Sequence, residues 1–270
     1  MLKIGVIGCG AIGAQICRAI DSGSVNAKLV AIYDRSLQHC ENLQGSLRSK
    51  PAITTPAELI KKVDIVVECA SQVAVREHGL LVLESGKDLM VMSVGAFMDE
   101  KLLDDLVRAA MKNDCKIYVP SGAIAGIDGL RSAKIASINK VEISTTKNPK
   151  GLEGAPFIIE HNIDVYSFHE RTQIFEGNAK AAVRAFPANI NVAASLSLAG
   201  IGPEDTRVKI FVDPDASRNI HQITVEGDFG NFTCRIENVP SPDNPRTSLL
   251  AALSAIATLK KITEPLQIGT

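Results

Sequence analysis

The sequence predicts an α/β chain: a doubly wound parallel sheet followed by a second, α+β domain with a mixed or antiparallel sheet. Three observations predict it. Apolar runs alternate with helix-spaced segments through the first 120 residues. A glycine-rich turn joins the first run to the first helical segment. Three closely spaced candidate strands, with turn residues between them, follow residue 200. Strands alternating with helices imply parallel βαβ units, whereas strands joined by short turns pair antiparallel.

Leu2 to Ile7 is a continuous apolar run, as in a strand buried on both faces. Ala11 to Ile20 has helical spacing, and Lys28 to Tyr33 is apolar again, ending at Asp34. Pro56, suited to a first turn, opens a helical stretch through Lys62. Val63 to Cys69 reads as a strand, Val73 to Leu83 as a helix stopped at Gly86, and Asp88 to Val94 as a strand. From Asp99, Leu102, Leu103, Leu106, Val107 and Ala110 mark one helix face, and Lys116 to Val119 is a strand ended by Pro120. Beyond it, Ala123 to Ser137 reads as a helix and Lys140 to Thr146 as a strand, while Gly151 to Glu170 has no legible period. Asn178 to Phe186 and Asn189 to Ala199 read as helices separated by Pro187. The three later strands are Arg207 to Val212, Asn219 to Gly227 and Asn231 to Asn238, joined by Asp213-Pro214-Asp215 and Asp228-Phe229-Gly230. After Pro240, Pro242 and Pro245 an apolar helix runs from about Thr247 to Lys260.

At about 150 residues per domain, 270 residues make one large domain or two modest ones. The division expected is 1–120, joined by a C-terminal helical segment 244–270, and 121–243. A content of 46% hydrophobic and 22% charged residues excludes wholesale disorder, and 4% aromatics with no Trp call for an aliphatic core. Twenty-nine basic against thirty acidic residues, without a basic cluster, argues against nucleic-acid binding. No apolar run approaches the ~20 residues that span a bilayer, so no membrane association is expected. The stretch before Cys9 is too short for a signal peptide. Six scattered cysteines with no Cys-x-x-Cys pair read as free thiols in a reducing cytosol, not as a metal or disulfide framework.

Gly8-Cys9-Gly10-Ala11-Ile12-Gly13 follows a buried strand, opens a helix and lies in a βαβ unit closed by Asp34. That context is what a dinucleotide fingerprint requires, with the diphosphate resting on the helix N-terminus. The first 120 residues therefore read as a Rossmann domain. Asp34 suits the adenosine ribose hydroxyls and repels a 2′-phosphate, which argues for NAD; the adjacent Arg35 leaves NADP open. Small residues at three strand tips, Ala70-Ser71, Ser93-Val94-Gly95-Ala96 and Ser121 to Gly126, suit close approach to a flat cofactor. Cys69 reads as a buried thiol more than as a nucleophile, since nothing beside it suggests activation. Hydride transfer also needs a proton-handling group. His39 and His78 fall in helices, His161 and His169 in the illegible stretch. His221 shares a strand face with Asn219 and Ile223. Spacing leaves the last three open, with a structural histidine as the default.

Gly8 to Gly13, Ser121-Gly122-Ala123-Ile124-Ala125-Gly126, Phe186-Pro187-Ala188-Asn189-Ile190-Asn191-Val192-Ala193, Asp213-Pro214 with His221, and Asn244-Pro245-Arg246-Thr247-Ser248 occur in this order. With them the chain resembles the L-aspartate dehydrogenases of archaeal and bacterial type over nearly its whole length. The resemblance implies NAD(P)-dependent oxidative deamination of L-aspartate to iminoaspartate, which hydrolyses to oxaloacetate and ammonia or feeds quinolinate synthesis for making NAD. It implies His221 as the active-site residue, Ala125 and Asn191 at the cofactor, and a homodimer with a possible hand-off to quinolinate synthase. It also implies a second domain inserted before a helix that returns to the Rossmann half.

Two substrate carboxylates call for cations or aimed donors. Thr145, Thr146, Lys147 and Asn148 are candidates at a strand end, with Arg131, Arg246 and Thr247 as alternatives. A dihydrodipicolinate reductase or homoserine dehydrogenase would share the glycine fingerprint but not the Asn-rich string. A sensor that binds NAD without turnover would need no acid/base group beside it.

Overall fold

The computed structural model describes residues 1–187, 191–241 and 244–269. The chain divides into two compact units: residues 1–120 with 252–268, and residues 121–251 with the extreme C-terminus.

The first unit contains β1 (Leu2–Ile7), α1 (Ala11–Asp21), β2 (Ala27–Tyr33), α2 (Leu37–Ser46), β3 (Ala52–Ile53), α3 (Pro56–Ile60), β4 (Ile65–Glu68), α4 (Gln72–Glu84), β5 (Asp88–Val91), a 3-10 turn (Val94–Met98), α5 (Glu100–Lys112) and β6 (Ile117–Tyr118). The sheet order is β3-β2-β1-β4-β5-β6, every pairing parallel. The order reverses between β1 and β4, where ligands of such sheets bind beyond the strand carboxyl ends. β4 is buried along its whole length, as strands covered on both faces must be. Ile4, Val6, Ile16, Ile20, Ile32, Ile65, Val67 and Met90 form one aliphatic cluster. Each such side chain contributes roughly 1.5–3 kcal/mol by leaving water. Ala255 and Leu259 of the last helix join the same cluster.

The second unit contains α6 (Ile127–Ala133), β7 (Ile138–Lys147), α7 (Pro149–Leu152), α8 (Pro156–Glu160), β8 (Thr172–Asn178), α9 (Ala179–Ala185), α10 (Asn191–Ala199), β9 (Arg207–Val212), β10 (Asn219–Gly227), β11 (Gly230–Asn238), β12 (Pro240–Ser241) and β13 (Asn244–Ser248). α11 (Leu249–Thr263) carries the chain back to the first unit. The main sheet runs β11-β10-β7-β9-β8 and is mixed: β7 and β9 pair parallel, the other neighbours antiparallel.

Several elements differ from expectation. The helix expected over Ala123 to Ser137 shrinks to α6. Gly122 and Gly126 hold left-handed φ values of +68° and +85°, which break helical geometry before Ile127. β8 was not legible because its register shifts between Gln173 and Phe175, interrupting the two-residue alternation. The stretch from Gly151 to Glu170 is organised by Phe157 of α8, whose ring packs 5.3 Å from Phe175 and 5.5 Å from Phe186. Residues 244–248 pair with β12 as a short strand instead of entering the last helix, which starts at Leu249.

A Cβ on Gly13 would overlap the carbonyl oxygen of Gly8, which is backbone and has no slack. Gly13→Ala is therefore expected to destabilise the first unit by about 1–3 kcal/mol, read as a lowered Tm. An unchanged melting curve would show that the β1–α1 turn can open.

Candidate active site

β1 delivers the chain to Gly8, whose φ of +105° turns it sharply toward α1. A Cβ on Gly8 would lie 2.7 Å from the Ala70 nitrogen and the Cys69 carbonyl, so the turn sits directly against the tip of β4. Gly10 is the N-cap of α1, and no side chain caps that helix. A Cβ on Gly10 would meet nothing within 4 Å. An open, side-chain-free helix start with outward N–H groups is the chemistry that receives a diphosphate, and Ala11 and Ile12, both half-buried, form its first turn.

Asp34 follows β2. Its Oδ2 accepts the Cys9 N–H at 2.8 Å, its Oδ1 accepts the Ser36 N–H at 2.9 Å, and His39 Nδ1 lies 3.4 Å from Oδ1. Burial opposes the charge of Asp34, but these donors and His39 outweigh it and hold its pKa below the usual range. Oδ2, with the Cys9 N–H as its donor, keeps a second lone pair for a hydroxyl donor. Arg35 is exposed. Ala70 is exposed and Ser71 half-buried, and Ser71 Oγ accepts the Ala74 N–H at 3.2 Å to cap α4. The structure thus gathers Gly8, Gly10, Ala11, Ile12, Gly13, Asp34, Ala70 and Ser71 beyond the carboxyl ends of β1, β2 and β4. Burial raises the Cys69 pKa well above normal, so the residue is a thiol and not an activated nucleophile.

In the second unit, β7 and β10 pair with His221 opposite Thr145. Thr145 Oγ1 and His221 Nδ1 are hydrogen-bonded at 3.0 Å. Strand alternation puts Thr145, Lys147, Asn219 and His221 on one face, and all four are buried. His221 is 2% exposed and Lys147 3%. Burial lowers the Lys147 pKa to about 8. Burial first, and the Lys147 charge second, lower that of His221 to about 3. Near neutral pH this face therefore carries a mostly protonated ammonium beside a neutral imidazole.

Thr146 requires a correction. It points to the opposite sheet face, where its Oγ1 accepts Arg171 Nε at 3.3 Å and Arg171 lies 3.5 Å above the Phe211 ring. Neighbouring strand residues cannot share a face, so Thr145 and Thr146 do not form a pair toward one ligand. Asn148 is also engaged elsewhere, capping α7 and donating to the Pro214 carbonyl at 3.2 Å. Ala125 is exposed in the irregular segment before α6, and Asn191 opens α10 half-buried. Ala188, Asn189 and Ile190 of the Asn-rich string lie outside the described residues, as does the Arg246 side chain. His161 is exposed and stacks on Phe157 at 3.9 Å, and His169 is exposed. Periodicity assigns no role to Glu68, a carboxylate ending an otherwise apolar strand, and it is buried.

Fold and site together define a two-domain pyridine-nucleotide dehydrogenase. Residues 8–120 match the family described as homoserine dehydrogenase, NAD binding domain, and residues 128–262 match aspartate dehydrogenase, C-terminal. The chain is 57% identical to an L-aspartate dehydrogenase of Methanococcoides burtonii and 55% identical to that of Methanosarcina acetivorans, each comparison covering all of both chains. A crystal structure of aspartate dehydrogenase from Thermotoga maritima superposes with a TM-score of 0.78 at 29% identity over the full length of both. The chain belongs to the L-aspartate dehydrogenase family. A homoserine dehydrogenase from Thiobacillus denitrificans, at 16% identity and TM-score 0.63 over 97% of this chain and 73% of that one, shares the fold. Among the described residues no helix is long and apolar enough to cross a membrane.

Between pH 6.5 and about 3 the unfolded chain protonates His221 while the folded chain does not, so this residue's contribution to stability is lost as pH falls through that window. The Tm advantage of the native chain over His221→Asn is accordingly expected to shrink as pH drops from 6.5 to about 4. Parallel Tm profiles for the two proteins would show that His221 titrates normally.

Proposed function

We propose that the chain catalyses NAD(P)-dependent oxidation of L-aspartate to iminoaspartate, followed by hydrolysis to oxaloacetate and ammonia. The observation that carries this is the burial of Lys147 and His221 on one sheet face, in a chain whose first helix starts as an open, uncapped anion site. Gly8 to Gly13 would hold the diphosphate, Asp34 the adenosine ribose, and Ala70, Ser71, Ala125 and Asn191 the remainder of the dinucleotide. Bound there, the nicotinamide supplies a hydride acceptor. Asp34 makes NAD the preferred form, and the exposed Arg35 leaves NADP usable.

The protein's own residues handle charge and protons. Burial disfavours the Lys147 ammonium, and a carboxylate placed beside it offsets that cost. Lys147 thus favours a carboxylate strongly, and the Thr145 hydroxyl adds a neutral polar group on the same face. His221 is neutral before substrate arrives, the form a base needs. The substrate amine must lose a proton before its nitrogen lone pair can form C=N as the Cα hydrogen leaves with its electron pair. His221 accepts that proton, and the incoming carboxylates stabilise the imidazolium against the burial and the Lys147 charge that disfavour it. Returning a proton during water attack on the imine uses the same ring. Thr146 plays no direct part.

On the strength of the family resemblance we further propose that the second unit serves substrate binding and dimerisation, in a cytoplasmic homodimer. The same resemblance supports quinolinate synthesis as the fate of the imine, with quinolinate synthase as a hand-off partner.

A screen of amino acids with NAD and with NADP, followed by absorbance of the reduced nicotinamide, is expected to single out L-aspartate; preference for homoserine would overturn the substrate assignment. His221→Ala should lower turnover roughly 10²–10⁴-fold with dinucleotide binding retained. Turnover within threefold of native would remove His221 as the acid/base, since general catalysis is worth at least about 10². Lys147→Met should raise the KM for aspartate about tenfold or more, because the cation that attracts a carboxylate is replaced by an apolar chain of similar volume. An unchanged KM would take Lys147 out of the substrate site.

A further inference from the structure

Glu68 ends β4 at the point where the sheet order reverses, and it is only 2% exposed. Its Oε1 accepts the N–H groups of Ala70 and Ser71, each at 2.8 Å, and the Ser93 hydroxyl at 2.8 Å. Its Oε2 accepts the Ser93 N–H at 3.1 Å. One carboxylate thus gathers four donors from two strand tips. A buried carboxylate is costly even with partners, and burial pushes its pKa up against the pull of those donors. A fold that needed only to fill this space would be served as well by an apolar side chain.

The donors explain the choice. Ala70 and Ser71 form the loop that packs on the glycine turn, its backbone reaching within 2.7 Å of where a Gly8 Cβ would stand. Glu68 ties that loop to the tip of β5 through Ser93. It also occupies three backbone N–H groups that would otherwise offer a second anion site beside the turn. The α1 start, by contrast, has no side-chain cap.

We propose that Glu68 is a positioning residue for the dinucleotide: it fixes the Ala70–Ser71 loop against the glycine turn and withdraws the neighbouring N–H groups, so the diphosphate settles on α1 alone. This rests on the glycine turn being the dinucleotide site.

The test compares native protein, Glu68→Gln and Ser93→Ala. Gln keeps one acceptor oxygen but turns an NH2 toward a donor; Ala deletes the hydroxyl alone. NADH binding is followed by the fluorescence of the dinucleotide itself, with Tm and steady-state kinetics measured in parallel. Glu68→Gln is expected to weaken NADH binding about tenfold or more, and Ser93→Ala about threefold, the loss of buried hydrogen bonds to a charged group. The KM for aspartate at saturating dinucleotide should stay within about twofold, because Glu68 acts on the dinucleotide alone. NADH affinity within twofold of native in the folded variants, with only Tm lowered, would overturn the proposal and leave Glu68 a structural tie. If Glu68→Gln does not fold, Ser93→Ala decides by the same criterion. Native protein that binds no NADH would instead refute the dinucleotide site itself.

Discussion

The backbone contact between the glycine turn and the tip of β4 is the constraint on which the first unit depends. Gly8 lies against Cys69 and Ala70, and Gly13 against Gly8, with no room for a Cβ at either position. That approach puts the start of α1 at the sheet's switch point. It also aligns the Cys9 N–H with Asp34, the group that receives ribose in this reading. Close packing of backbone on backbone is stiff, because no rotamer can yield. An anion site made in this way is already organised before its ligand arrives.

The second unit solves a different problem. It holds Lys147 and His221 away from water, where both charged forms are disfavoured. The result is a neutral imidazole beside a cation whose field solvent screens little. In the proposed reading, the carboxylates of the substrate meet that field, so burial serves selectivity. Thr145 bridges the two roles by fixing the imidazole at Nδ1 through a hydrogen bond of ordinary length.

Much of the fold was legible because strand and helix periods are local. β1, α1, β2, β4 and α5 follow directly from runs and faces in the sequence. The glycine string was informative for the same reason, since its strand–turn–helix context lies within a few residues. Thr145 and Thr146 show the limit of reading by proximity. They are adjacent in sequence and sit on opposite faces of β7, a distinction that strand alternation contains but that closeness to a strand end conceals. β8 was hidden by its bulge, and the stretch before it by a core built from three phenylalanines that are distant in sequence.

By itself the sequence determined the alternating architecture, the glycine turn, Asp34 at the end of the second strand and His221 on a strand face with Asn219 and Ile223. Tertiary structure decided which polar groups share a burial environment: His221 with Thr145, 76 residues apart, and Glu68 with Ser93, 25 residues apart. Periodicity is a property of neighbours along the chain, so it can be read there. Desolvation and hydrogen-bond partnership are sums over neighbours in space, and only the folded packing fixes those.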